Sequence, residues 1–295
     1  MSIYSMWGAL EIGLIFGLVA LGVLISFRVL NFPDLTVDGS FPLGGATAAI
    51  LIHNGMDPFL ATGAATLAAG FAGMVTGWLN VRLKIMDLLA SILMMIALYS
   101  INLRVMDAPN VPLITDPTVF TVLQPEGIED FVARPLILLV LVVIVKLLLD
   151  WFFATQVGLA MRSTGSNPRM ARSQGIRTGN MVLLGMAISN ALCGLAGALF
   201  AQSQGGADIS MGIGTIVIGL AAVIIGESIL PSRRLMVATL AVVIGAVLYR
   251  FFIALALNAD FVGLKAQDLN LVTAVLVTIA LVIPLAKQRL RKKKA

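Results

Sequence analysis

The sequence predicts an all-α polytopic membrane protein of 8–9 transmembrane helices, one of them short or broken, within a single membrane domain spanning residues 1–295. Three observations carry that prediction. Hydrophobic residues make up 59% of the chain, against about 45–50% in a soluble domain. Charged residues make up 12%, roughly half the usual share of about 25%, too few to cover the outside of a soluble fold that apolar. Apolar stretches of membrane-spanning length recur along the whole chain, where about 20 residues are needed to cross the hydrocarbon core as a helix.

These stretches fall at 6–27, 41–53, 58–80, 86–103, 135–153, 180–202, 211–230, 235–257 and 269–286. The second is too short for a straight crossing. It follows Pro33 and Gly39 and contains Pro42, Gly44 and Gly45. Residues 32–53 are therefore expected to form a broken or re-entrant helix, whose irregular backbone must face protein or a cavity because lipid offers no hydrogen-bond partner. Met1 to Leu10 holds no Lys or Arg ahead of the first apolar run, so no cleavable signal peptide is expected.

Basic residues orient the chain. With a cytoplasmic C-terminus, Arg28, Arg82, Lys84, Arg162, Arg169, Arg172, Arg177, Arg233, Arg234 and the tail cations from Lys287 to Lys294 all fall inside. Only Arg104, Arg134 and Lys265 fall in outer loops, as the positive-inside rule requires. The net charge of +5 thus points to topology and lipid contact, not to nucleic acid. One cysteine, Cys193, and one histidine, His53, exclude a disulfide framework, a zinc cluster and His-dependent triads. No Walker loop or dinucleotide glycine motif is present, so the chain carries no ATPase or catalytic site of its own.

Two loops stand out. The outer loop 104–134 carries four prolines and the acids Asp107, Asp116, Glu126, Glu129 and Asp130. The inner loop 154–179 is basic, and Asn167, Pro168, Arg169, Met170, Ala171 and Arg172 read as a helix start, followed by Gln174 and Gly175. Ser166 or Asn167 can cap the helix, Pro168 suits its first turn, and Gly175 can end it. A short, capped, cationic helix between two spans is a docking element.

Polar residues inside apolar surroundings mark a candidate pathway: Asp34, Thr36 and Asp38 of the break, with Ser91, Met94, Asn102 and Asn190 inside spans. Three readings of the break compete. It is a polar interruption near a translocation route, a Mg²⁺–diphosphate site built on the D-x-x-x-D spacing, or a solvated turn. The second needs a facing acidic motif, and the only similar spacing, Glu126 to Asp130, falls on the opposite side of the membrane. Elsewhere, Glu227 is expected to pair with Arg233 or Arg234, Asp87 with Arg82 or Lys84, and Lys146 with Asp150 one turn away. A faint repeat relates Asp38–Ser40–Gly44 to Asp208–Ser210–Gly214 in spans of opposite direction, an inverted-repeat arrangement common in transporters.

Asn31-Phe32 with Gly44-Gly45 after it, the inner stretch Gly165-x-Asn167-Pro168-x-x-Ala171-x-x-x-Gly175-Ile176 and the glycine-rich 211–230 span together resemble the permease subunits of ABC importers, the family that includes branched-chain amino acid and ribose permeases. The likeness runs over most of the chain. Asn31 to Gly39 and Ser100-Ile101-Asn102-Leu103-Arg104 are most similar to a subgroup linked in part to aromatic amino acid uptake, and the segment from Pro33 to Asp38 departs from the branched-chain permeases. The resemblance implies a subunit of an ATP-driven importer in the bacterial inner membrane, moving a small amino acid-like solute. It implies that Asn167 to Gly175 form the coupling helix, docked on a separate ABC ATPase that binds the ATP and Mg²⁺. It further implies a periplasmic substrate-binding protein and a permease homodimer around one pathway. An ion-coupled secondary transporter is the competing reading, although few acids lie deep enough to bind Na⁺ or H⁺.

Overall fold

The computed structural model describes residues 3–124, 129–232 and 234–257, with Val275 and Thr278 beyond them. The expected span 269–286 apart from Val275 and Thr278, the basic tail, Lys265, Glu126 and Arg233 lie outside the described residues. The described residues are helical nearly throughout: α1 (Ile3–Val23), α2 (Val37–His53), α3 (Pro58–Leu83), α4 (Asp87–Met106), α5 (Val119–Leu123), α6 (Asp130–Ala154), α7 (Gln156–Ser166), α8 (Pro168–Ser173), α9 (Thr178–Gln204), α10 (Thr215–Ile229) and α11 (Leu235–Leu257). Among the described residues, seven helical segments are long and apolar enough to cross a membrane. The 17-residue α2 lies beside them and is shorter.

α9 is the central post. α1, α2 and α3 pack against it, and α10 and α11 pair with each other against α1. Small residues set these distances. A Cβ at Gly44 would overlap Gly194 O, and one at Gly197 would overlap Phe41 O. The α2 and α9 backbones therefore touch through glycines, as closely packed membrane helices do. Phe16, Phe41 and Phe200 fill the adjoining space as a ring cluster, with centroids 5.8 Å apart for Phe16–Phe41 and 5.5 Å for Phe41–Phe200.

The contacts divide the connections between two ends. At one end Arg28 meets Glu227 at 2.8 Å, and α7 and α8 sit beside the end of α1 and the start of α9. At the other end His53 meets Asp116 at 3.2 Å, and Ser203 donates to Glu11 Oε1 at 2.7 Å. There too, strand β1 (Asn110–Pro112) pairs antiparallel with β2 (Gly206–Asp208). The first end gathers Arg28, Lys84 and Arg162 to Arg177 and is the basic end. The grouping follows the alternation read from the basic residues.

Several local expectations change. Glu227 pairs with Arg28, 199 residues away, rather than with Arg234. Asp87 accepts from Asn80 Nδ2, its partner on the preceding helix, in place of Arg82 or Lys84. Lys146 does pair with Asp150, whose Oδ1 also accepts from Thr239 at 2.7 Å. The inner loop holds two helices, α7 and α8, where one was expected, and the outer loop holds a strand and α5.

A candidate pathway site at mid-membrane

The break between α1 and α2 is confined to residues 30–36. α1 continues as a π-helical turn, Leu24–Val29. Asn31 then takes a left-handed conformation, φ 56°, which Asn tolerates better than most residues. Phe32 is buried and its N–H donates to Ser26 O at 2.8 Å, so the chain turns sharply back into the protein. Asp34 Oδ1 accepts from Thr36 N at 2.9 Å, an Asx turn that leads into α2.

This link reaches the middle of the membrane. Asn190 Nδ2 donates to Asp34 Oδ2 at 2.7 Å, and Asn190 is the thirteenth of 27 residues in α9. At 1.5 Å per residue it lies about 18 Å from one end of that helix and about 21 Å from the other. Asp34 is fully buried at that depth. A bare carboxylate there would be costly; two hydrogen bonds offset the cost. Asn190 is fully used in turn, since its Nδ2 also donates to Met186 O at 3.1 Å and its Oδ1 accepts from Ser40 Oγ at 2.7 Å. Thr36 and Thr76 share a hydroxyl–hydroxyl bond of 2.9 Å. Ser91 donates to Leu88 O at 2.9 Å and lies 3.4 Å from Pro33 O, tying α4 to the break.

A second interrupted segment arrives at the same level. After β2, a 3₁₀ turn (Ile209–Gly212) leads back from the membrane surface to the start of α10. Ile216 N donates to Asp38 Oδ1 at 2.8 Å, and a Cβ on Gly212 would overlap Asp38 O. Asp38 thus lies in the first turn of α2 and also caps α10. The two helices start together near mid-membrane and run toward opposite ends, α2 toward the His53 end and α10 toward the basic end. The positive start of α10 faces the Asp38 carboxylate, a placement that favours an anion. The repeat pairing of Asp38 with Asp208 is only partly matched: Asp208 Oδ1 accepts from Ser210 N at 2.7 Å, the Asx turn that Asp34 makes, whereas Asp38 caps a different helix.

Beside this junction lies a cavity of about 570 Å³, walled by Asp38, Gly39 and Pro42 of α2, Met95, Tyr99 and Asn102 of α4, and Ile213 after the 3₁₀ turn. Of the seven candidate pathway residues, Asp38 and Asn102 line it. Asp34, Thr36, Ser91 and Asn190 form the buried network behind it. Met94 packs on the apolar cluster of Leu43, Ala69, Ala72 and Leu98. Tyr99 and Ile213 escaped the sequence reading, because an aromatic or aliphatic residue on a membrane helix carries no signal of its own.

The inner element is built as its sequence indicates. Asn167 Oδ1 accepts from Met170 N at 3.1 Å, Pro168 is the first helical residue, and Gly175 takes φ +81° after the helix end. Ala171 is buried while Asn167, Pro168, Arg169, Met170, Arg172, Gln174 and Gly175 are exposed. α8 therefore rests on one face and presents the other. Among the described residues, no group of three or more His, Cys, Asp or Glu side chains is placed to hold a metal ion.

Comparison with known proteins adds the context. Residues 6–283 match the family model described as branched-chain amino acid transport system / permease component. A tyrosine transport system permease protein of Clostridioides difficile is 39% identical over 264 residues, 90% of this chain and 86% of that protein. An uncharacterised protein of Rickettsia prowazekii is 34% identical over 92% of this chain and 95% of its own length. A galactofuranose transporter permease protein of Escherichia coli is 27% identical over 68% of this chain and 58% of that protein. No solved structure matches the chain.

Proposed function

Because the chain belongs to the branched-chain amino acid transport system / permease component family of ABC permeases, we propose that it is the membrane subunit of an importer for an aromatic amino acid-like solute, driven by ATP hydrolysed on a separate ABC ATPase. The observation that carries the coupling half of this reading is α8: a six-residue helix with a fixed start and stop, exposed at the basic end with Arg169 and Arg172 outward. Such an element can transmit the movement of an ATPase groove without bending. The basic end is then cytoplasmic, and so is the C-terminus, in a bacterial inner membrane. The opposite end, with Asp107, Asp116 and Asp130, receives the periplasmic binding protein.

The pathway runs past Asp38 and Asn102, with Asp34, Thr36, Ser91 and Asn190 holding the break in place. It is completed by a second copy of the chain. The exposed apolar side of α4, including Leu89, Leu93 and Ile96, borders the cavity and suits such a partner, so native mass measurement of the complex should find two identical permeases. The aromatic assignment draws on the tyrosine permease relative. Uptake of labelled tyrosine into cells expressing the whole system tests it. Phenylalanine should compete with uptake and galactofuranose should not. Competition by galactofuranose or nucleosides, with none by aromatic amino acids, would overturn the substrate assignment.

A further inference from the structure

We infer that the mid-membrane cavity holds a subsite for the ammonium group of the transported solute, formed by the Asp38 carboxylate and Asn102 Oδ1, with Tyr99, Met95 and Ile213 receiving its apolar body. The inference rests on the proposed function and assigns a chemistry to its pathway.

Asn102 is 1% exposed, and its Nδ2 donates to Gly39 O at 3.2 Å. That bond fixes the amide, since the flipped form would set two oxygens against each other. Its Oδ1 is left with no hydrogen-bond partner although it is buried. A buried acceptor without a donor is costly, of the order of 1–3 kcal/mol, and Asn102 is one of the residues that wall the cavity. Asp38 lies on the same wall, one residue before the Gly39 carbonyl that Asn102 holds. Pro42 adds to the acceptor surplus: having no N–H, it cannot supply the helical bond that Asp38 C=O would receive from a residue four positions on. Among the described residues, none of the ion pairs involves Asp38. The start of α10 is turned to the Asp38 carboxylate, so its positive end is already engaged. None of the residues that line the cavity is cationic, so nothing on its wall balances the Asp38 carboxylate.

The rest of the wall is apolar or aromatic: Pro42, Met95, Ile96, Tyr99, Ile209 and Ile213, with the hydroxyls of Ser100 and Ser210. A ligand that places several N–H donors at one end and a ring at the other satisfies both parts. A primary ammonium on an aromatic body has that form, and a sugar does not.

Binding to the purified permease–ATPase complex, without the periplasmic protein, tests this directly. The two probes are tyramine, which carries the ammonium and the ring, and 4-ethylphenol, which keeps the ring and has hydrogen in place of the ammonium. Tyramine is expected to bind at least tenfold more tightly. Asn102→Leu and Asp38→Asn should each weaken tyramine at least tenfold. Asp38→Asn keeps an oxygen to accept from Ile216 N, and retention of the ATPase on purification reports that the variant is folded. Equal binding of the two probes by the parental complex would overturn the subsite, and so would undiminished tyramine binding by a folded Asp38→Asn complex. The probe comparison uses the unmodified protein and stands even where a variant fails to assemble. Failure of the function reading is separable: a complex that prefers tyramine but imports no aromatic amino acid keeps the subsite and loses the proposed substrate.

Discussion

Asp34 and Asn190 show how a membrane interior accommodates a carboxylate. Each polar atom of the Asn190 side chain is engaged, and both Asp34 oxygens accept a hydrogen bond. Replacing Asn190 with Leu would strand Asp34 Oδ2 and the Ser40 hydroxyl together. A loss of about 1–3 kcal/mol is expected for an unsatisfied buried group, read as a lower thermal-unfolding midpoint of the detergent-solubilised protein. An unchanged midpoint would mean that water reaches the pair and that the link is not packed. At this scale the sequence shows the polar break plainly, because Pro33, Asp34 and Asp38 interrupt an apolar run. It does not show the partners. Asn190 is 156 residues from Asp34, and one buried amide among apolar residues looks the same whether it binds solute, another helix or nothing. The misassigned pairing of Glu227 has the same origin: Arg234 is near in sequence, but the fold brings Arg28 nearer in space.

Among the elements, α8 was the most legible and α2 the least. Asn167, Pro168 and Gly175 are start and stop signals that act locally, so their reading survives folding. α7 was missed because its 11 residues, including two glycines and several hydroxyl residues, form a weak helix pattern. α2 begins ahead of its apolar run, at Val37, since Asp38, Gly39 and Ser40 are held in helix by bonds to α9, α10 and α4 that no local propensity records. The coupling role proposed for α8 has a definite consequence. Arg169 and Arg172 lie three residues apart on one exposed face. Changing both to Ala should leave insertion and thermal stability intact and strip the ATPase from the complex, since truncating one side of a buried charge pair costs about 2–5 kcal/mol, roughly 30- to several-thousand-fold in affinity. Co-purification with the ATPase measures it. A double variant that inserts, holds its ATPase and imports at the parental rate would reduce these arginines to topology signals.

For the whole molecule, composition decided the class and the basic residues decided the alternation, both of which sum over many positions. The convergence of α2 and α10 on Asp38 was not visible, because it depends on residues 178 positions apart meeting at one depth. That meeting brings the two helix starts together at Asp38, and the proposed function sets a docking helix at the basic end. In the proposed function, work done at α8 moves solute past Asp38. The most direct test is uptake of labelled tyrosine by vesicles holding the complete complex, with its binding protein on one side and ATP on the other. Uptake is expected to require ATP, to stop when the ATPase is inactivated, and to be indifferent to Na⁺ or H⁺ gradients. Uptake by this chain alone, driven by an ion gradient with no ATP present, would contradict it.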